Sequence, residues 1–206
     1  MRVAIDGPDA AGKTTLADEL AVAVAARGRE AIRASVDGFH RPRAERYRLG
    51  ADSPRGYYED SFDHGVLRHV LLDPLGPGGH RQYRCGVFDF RADSVLETPV
   101  LSAAENAVLL FDGVFLLRPE LRDAWELAIF VCVDPAESVR RARGRDLELF
   151  GSAEDVERRY RTRYLPGQQL YLNEADPLSR ADFVVANDDP AAPKLSARGT
   201  SARASR

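Results

Sequence analysis

The stretch that most restricts what this chain can become is Gly7-Pro8-Asp9-Ala10-Ala11-Gly12-Lys13-Thr14. Its spacing, G-x-x-x-x-G-K-T, is that of a phosphate-binding loop. The flanks agree with it. Arg2-Val3-Ala4-Ile5-Asp6 is a short apolar run with β-branched residues and reads as a strand. Leu16 to Ala26 is rich in helix formers, holds no breaker, and is followed by Gly28 as a stop. Strand, glycine loop and helix is the order a phosphate cradle needs.

The chemistry follows from the backbone. Gly7 and Gly12 permit angles and close approaches that a β-carbon would hinder. Loop N–H groups, those of Ala10 and Ala11 included, then converge beside the positive end of a helix dipole. A nucleoside triphosphate fits there. Lys13 would reach its β- and γ-phosphates, Thr14 Oγ would coordinate Mg²⁺, and Thr15 would help hold the α-phosphate.

A chain of 206 residues suits one domain with a substantial core. The net charge of −3 gives no overall case for nucleic acid. Two cysteines, Cys85 and Cys132, make no disulfide framework. No apolar run approaches the ~20 residues of a membrane span. The chain enters a strand at once, so no leader is expected. The expectation is a cytoplasmic protein that binds neither nucleic acid nor membrane.

Ala31 to Asp37 reads as a second strand ending in a carboxylate, and residues 38–60 as a long polar functional loop. Phe62 to Leu72 has helical spacing. After the breaker cluster at 73–79, Gln82–Phe90 and Ser94–Leu101 read as an antiparallel hairpin. Ala107–Gly113 and Leu127–Asp134 are buried parallel strands. Arg118–Trp125 reads as a short helix, and Pro135 opens another that runs to about Asp146. Ser152-Ala153-Glu154-Asp155 is a capping box, and Phe183–Asn187 the last strand. From residue 190 the composition is that of a disordered tail. Alternating strands and helices predict an α/β fold, a parallel sheet with helices on both faces and ligands at the carboxyl ends of its strands. The loop, Asp37 and Asp112 therefore share one rim. One aspartate would help hold Mg²⁺ and the other could take a proton from an acceptor hydroxyl.

Several segments resemble the uridine kinase family, within the phosphoribulokinase and uridine kinase-like P-loop kinases. Asp37-Gly38-Phe39-His40 resembles the Asp-x-Phe-Tyr element of uridine–cytidine kinases, whose Asp is the catalytic base. Ser61-Phe62-Asp63-His64 is similar to the family's Asn-Phe-Asp-His-Pro segment, which approaches the nucleoside. Val87-Phe88-Asp89-Phe90 resembles its Val-Tyr-Asp-Phe hairpin, and Leu110-Phe111-Asp112-Gly113 its metal-assisting Leu-Phe-Glu-Gly. Arg140-Arg141-x-Arg143-x-Arg145-Asp146 resembles its arginine-rich lid. The match covers most of residues 1–165. It departs at Phe88 and Asp93, where the family uses a Tyr and a His to read the pyrimidine, and at His40, where the family has Tyr.

The resemblance implies a P-loop kinase domain over 1–189, with an acceptor hairpin over about 75–103, a lid over about 140–155 and a tail over 190–206. It implies ATP and Mg²⁺, with Thr14 and Asp112 at the metal. Asp37 would be the base, aided by Lys13, Arg140 and Arg143, with Arg145 on the nucleotide. His40, Phe62, Asp63, Phe88 and Gln168 would line the acceptor site. The implied reaction phosphorylates the 5′-hydroxyl of uridine or cytidine, and the family implies homo-oligomers. The same fold with pantothenate, nicotinamide riboside, a sugar or a modified nucleoside as acceptor is the nearest alternative. A nucleotide-dependent switch is the alternative of another class.

Overall fold

The computed structural model describes residues 1–197. The chain begins with strand β1 (Arg2–Asp6), the glycine loop, helix α1 (Lys13–Ala25) and strand β2 (Ala31–Ser35). Short helices α2 (Arg43–Arg46), α3 (Pro54–Asp60) and α4 (His64–Leu67) follow. The hairpin segment holds β3 (Gln82–Tyr83), β4 (Phe88–Asp89), β5 (Ser94–Val95) and β6 (Leu101–Ser102). Then come β7 (Val108–Gly113), β8 (Leu127–Cys132), α5 (Pro135–Arg145), α6 (Leu147–Phe150), α7 (Ala153–Arg159), α8 (Leu165–Ala175), α9 (Pro177–Arg180), β9 (Phe183–Ala186) and β10 (Lys194–Ala197).

The central sheet has the order β10-β9-β8-β1-β7-β2, with β10 antiparallel and the other strands parallel. β1 and β7 are buried along their whole length, as continuous apolar strands covered on both faces should be. One face packs Val3, Ile5, Leu110 and Val131 against Ala17 and its neighbours on α1. The other packs Ala4, Leu109 and Phe111 against Phe39, Phe115, Trp125 and Tyr171. Phe111 stacks on Trp125 at 5.5 Å between ring centroids.

The register sets the site. Ile5 on β1, Asp112 on β7 and Ser35 on β2 lie in one row across the sheet. The ends of the strands that carry the chemistry are therefore level with each other.

Several sequence expectations need correction in detail. β2 stops at Ser35, because the next four residues wind into a single tight 3₁₀ turn, Val36–Phe39, capped by the Ser35 hydroxyl. The polar loop over 38–60 folds into α2 and α3. The helix expected from Phe62 starts at His64, with Asp63 as its cap, and widens into a π-helical turn over Arg68–Leu72. Only Arg122–Ala124 is helical in the segment Arg118–Trp125. The tail expected to be disordered from 190 instead adds Lys194–Ala197 to the sheet edge beside β9. Its remaining part, 198–206, lies outside the described residues. No helix among the described residues is long and apolar enough to cross a membrane.

A buried carboxylate ties this frame together. Asp6, fully buried at the end of β1, accepts from Gly7 N at 2.7 Å, from Leu117 N at 3.2 Å and from the Tyr171 hydroxyl. Burial pushes its pKa up, and these donors act against that shift. The Tyr171 hydroxyl also accepts from Leu117 N at 2.9 Å. Tyr171→Phe should therefore leave buried polar groups one partner short and cost about 1–3 kcal/mol. Urea unfolding reads this directly, and an unchanged midpoint would mean that Asp6 does not depend on the tyrosine.

Candidate active site

The glycine loop is shaped by contacts that exclude side chains. A β-carbon on Gly7 would lie 2.1 Å from the carbonyl oxygen of Val131. Ala10 adopts φ +57, in the left-handed region that L residues rarely occupy. Lys13 turns its ammonium onto the Pro8 carbonyl at 2.6 Å. Burial lowers the Lys13 pKa, opposed by the carboxylates of Asp9 and Asp6. A cavity of about 410 Å³ opens in front of this loop, lined by Ala10 to Leu16, Arg141, Arg145 and Asn187 among others. The loop backbone, Lys13, Thr14 and Thr15 suit a polyphosphate.

Thr14 Oγ1 donates to Asp112 Oδ2 at 2.8 Å. Arg33 on β2 holds the other oxygen, Oδ1, at 3.0 Å and donates to the Leu110 carbonyl at 2.8 Å. Asp112 is thus fixed from both sides. Among the described residues no three His, Cys, Asp or Glu side chains form a metal-binding group. A Mg²⁺ at Thr14 and Asp112 would therefore take its remaining ligands from phosphate and water, which is the usual habit of Mg²⁺.

The third strand end carries Asp37. Its carboxylate opens onto the solvent of the cleft and is otherwise ringed by protein. That crowding raises its pKa. The nearby His40 and Lys13 oppose the rise, while Asp9 and Asp112 add to it. His40 Nδ1 lies 3.0 Å from the Asp37 carbonyl oxygen. Its ring sits between Phe62 at 4.5 Å and Phe90 at 4.7 Å, and burial holds its pKa below the usual value. The hairpin closes down on this turn, where Val87 N donates to the Gly38 carbonyl at 2.8 Å. A β-carbon on Gly38 would sit 3.0 Å from Gly86 Cα, so only glycine allows this approach without a shift.

No family model matches the chain. Uridine kinase from Chlamydia pneumoniae is 26% identical over 193 residues, which is 90% of this chain and 81% of that protein. Among solved structures, a possible uridine kinase from Bacillus stearothermophilus matches with a TM-score of 0.68 at 24% identity, over 89% of this chain and 87% of its own. Phosphoribulokinase from Rhodobacter spheroides matches with a TM-score of 0.61 at 14% identity, over 90% of this chain and 69% of its own. The chain is similar in sequence to that uridine kinase and shares the fold of these P-loop kinase structures. Its class is that of phosphotransferases with an alcohol group as acceptor.

Within that kinase frame the structure distributes the expected site residues unevenly. Ala10, Ala11, Gly12, Lys13, Thr14 and Thr15 line one cavity, Asp112 joins it through Thr14, Gly7 is buried at the root of the loop, and Asp37 lies outside that lining. Phe62 and Phe88 are buried, and Phe62 forms a wall of the His40 sandwich. The Asp63 carboxylate caps α4 by accepting from Val66 N at 2.9 Å. Gln168 is buried on α8 and reaches the glycine loop, where its Nε2 lies 3.4 Å from Asp9 Oδ2. Asp93, at the position where the family has a base-reading His, accepts from Arg43 N at 2.8 Å and from Arg46 at 3.3 Å. It is occupied in closing the hairpin onto α2.

The lid arginines divide into two pairs. The structure does not bring Arg140 or Arg143 to the cleft. Arg140 is 71% exposed and pairs with Glu137, and Arg143 pairs with Glu157 of α7 at 3.0 Å. Arg141 and Arg145 line the cavity instead. Arg141 donates to the carbonyls of Asn187 at 2.6 Å and Asp188 at 2.9 Å, and Arg145 grips Asp146 and Tyr160. Helical phase explains the choice: on α5 only one of two adjacent arginines can face the loop. Sequence reading also missed Asn187, whose amide donates to the Ala11 carbonyl at 2.7 Å, and Arg33 and Asp9. The expected result of Arg145→Ala is a loss of turnover by at least about tenfold, since it removes a cation beside the phosphate cradle. Arg140→Ala should stay within about twofold of the parent, as exposed ion pairs contribute little. Initial-rate kinetics against ATP decides between the two.

Proposed function

We propose that this kinase transfers the γ-phosphoryl group of ATP to the 5′-hydroxyl of uridine or cytidine. The observation that carries the reading is the position of Asp37, level with the phosphate loop and the Thr14–Asp112 pair but on the hairpin side of the cleft. The relative named uridine kinase supports the choice of acceptor. The glycine loop and Lys13 bind and orient the polyphosphate, and Thr14 and Asp112 hold the metal. Mg²⁺ held by Thr14 and Asp112 would supply positive charge to offset that developing on the transferred phosphoryl group. Asp37 accepts the proton of the acceptor hydroxyl as its oxygen bonds to the γ-phosphorus and the bond to ADP breaks. Arg145 would swing from Asp146 towards the phosphates as the lid closes.

One observation favours a second class of acceptor. Phe88 has no hydroxyl and Asp93 is engaged by Arg43 and Arg46, so the hairpin lacks the family's two base-reading groups. A sugar or another alcohol would not need them.

Two measurements test the proposal. Phosphorus NMR of a reaction with Mg-ATP and uridine should show uridine 5′-monophosphate, and accumulation of inorganic phosphate alone would contradict it. The rate profile should also carry an acid limb. Asp37 acts only when ionised and its pKa is raised, so kcat should fall as pH drops through a value above the ordinary carboxylate range. A kcat that stays flat down to pH about 4 would remove Asp37 from the role of base.

A further inference from the structure

We infer that Asp9, an internal residue of the phosphate loop, is a specificity-determining residue that accepts a hydrogen bond from a second hydroxyl of the acceptor. The substrate class would then be a polyol, such as a ribose, rather than a simple alcohol. This rests on the acceptor side of the reading given above.

A carboxylate inside a phosphate loop is unfavourable for the ligand that loop receives, because like charges repel. Here it is turned away. Asp9 is absent from the lining of the cavity in front of the loop, although Ala10 to Leu16 all belong to it. Its backbone is pinned by Ser138, whose hydroxyl donates to the Asp9 carbonyl at 2.7 Å. Its side chain points to α3 and α8. Oδ2 accepts from the Tyr57 hydroxyl at 2.7 Å and from Gln168 Nε2 at 3.4 Å. Tyr57 is held protonated, since burial and then the Asp9 charge push its pKa well above the usual value. Oδ1 has no hydrogen-bond partner among the described residues.

Asp9 also lies within electrostatic reach of both Lys13 and Asp37, raising the pKa of each. Asp9 faces Tyr57 and Gln168, on the side of the loop away from the nucleotide cavity, where an acceptor bound against Asp37 would meet it. The open Oδ1 supplies a charged acceptor, which a substrate hydroxyl can meet as a donor, while both N–H groups of Gln168 stay engaged with Asp9 Oδ2 and the Tyr57 hydroxyl at 3.4 Å each. Tyr57 and Gln168 hold the carboxylate in place from helices that the loop does not otherwise touch through hydrogen bonds of its side chains.

The test is Asp9→Asn, which keeps the shape and an oxygen for Tyr57 but removes the charge. KM for uridine should rise about ten- to a hundredfold, while KM for ATP stays within about twofold. With 2′-deoxyuridine or 3′-deoxyuridine, the parent should lose the same factor for whichever hydroxyl Asp9 reads, and Asp9→Asn should lose nothing further on that analogue. A tie of purely structural kind would lower the melting temperature and shift both KM values together, and that pattern overturns the inference. Asp9→Ser provides a second variant should the amide perturb the loop. If no nucleoside stimulates the parent, the uridine reading falls first. The comparison is then made with the alcohol that does stimulate it, and an unchanged acceptor KM there overturns the role of Asp9.

Discussion

The buried carboxylate of Asp6 is the interaction on which the cleft depends. The strand that ends in the glycine loop turns abruptly there, and its last residue, Asp6, is fully buried. Asp6 resolves this by gathering three donors from distant parts of the chain: the loop through Gly7, the segment after β7 through Leu117, and α8 through Tyr171. A buried carboxylate is costly without such partners and orienting with them. Because Gln168 lies one helical turn before Tyr171, the same tie that fixes the loop also fixes the helix whose Gln168 reaches Asp9.

From that anchor the rest of the site follows by register. Parallel strands with level ends place Thr14, Asp112 and Asp37 along one rim, with the hydrogen-bonded Thr14–Asp112 pair on one side and Asp37 on the other. Arg33 extends the order outwards, since it holds Asp112 from the strand that delivers Asp37. The hairpin completes the cleft by a backbone contact at Gly38 and Gly86, and needs no side chain there. The end of the cleft at Asp37 is therefore shaped by main chain and the aromatic rings around His40, whereas the end at the glycine loop is shaped by N–H groups and cations.

What could be read in the sequence was what is local. The phosphate loop, the buried strands, Pro135 at a helix start and the Ser152 cap each depend on neighbours within a few residues, so their letters suffice. The hairpin was legible in outline for the same reason, although its pairing is nested, with β3 on β6 and β4 on β5. The arginines of α5 were not resolved, because four in six positions leave the facing residue to be decided by what α5 packs against. Asp63 resembled a substrate contact and is also a helix cap, a role that any N-terminal aspartate can take. β10 was missed because an edge strand of Lys, Leu, Ser and Ala has no pattern of its own and is specified by the strand beside it. Asp9 occupies a variable position of the loop motif, and its meaning comes from Tyr57 and Gln168, which are 48 and 159 residues away.

The central claim is that the cleft transfers phosphate to an alcohol placed at Asp37, and the most direct test is ADP release from saturating Mg-ATP with and without acceptor. The parent enzyme should be stimulated strongly by uridine or another hydroxyl compound. Asp37→Asn should bind ATP as before but lose about a hundredfold or more of that stimulation. Slow hydrolysis that no acceptor changes, or stimulation that survives Asp37→Asn, would contradict the account.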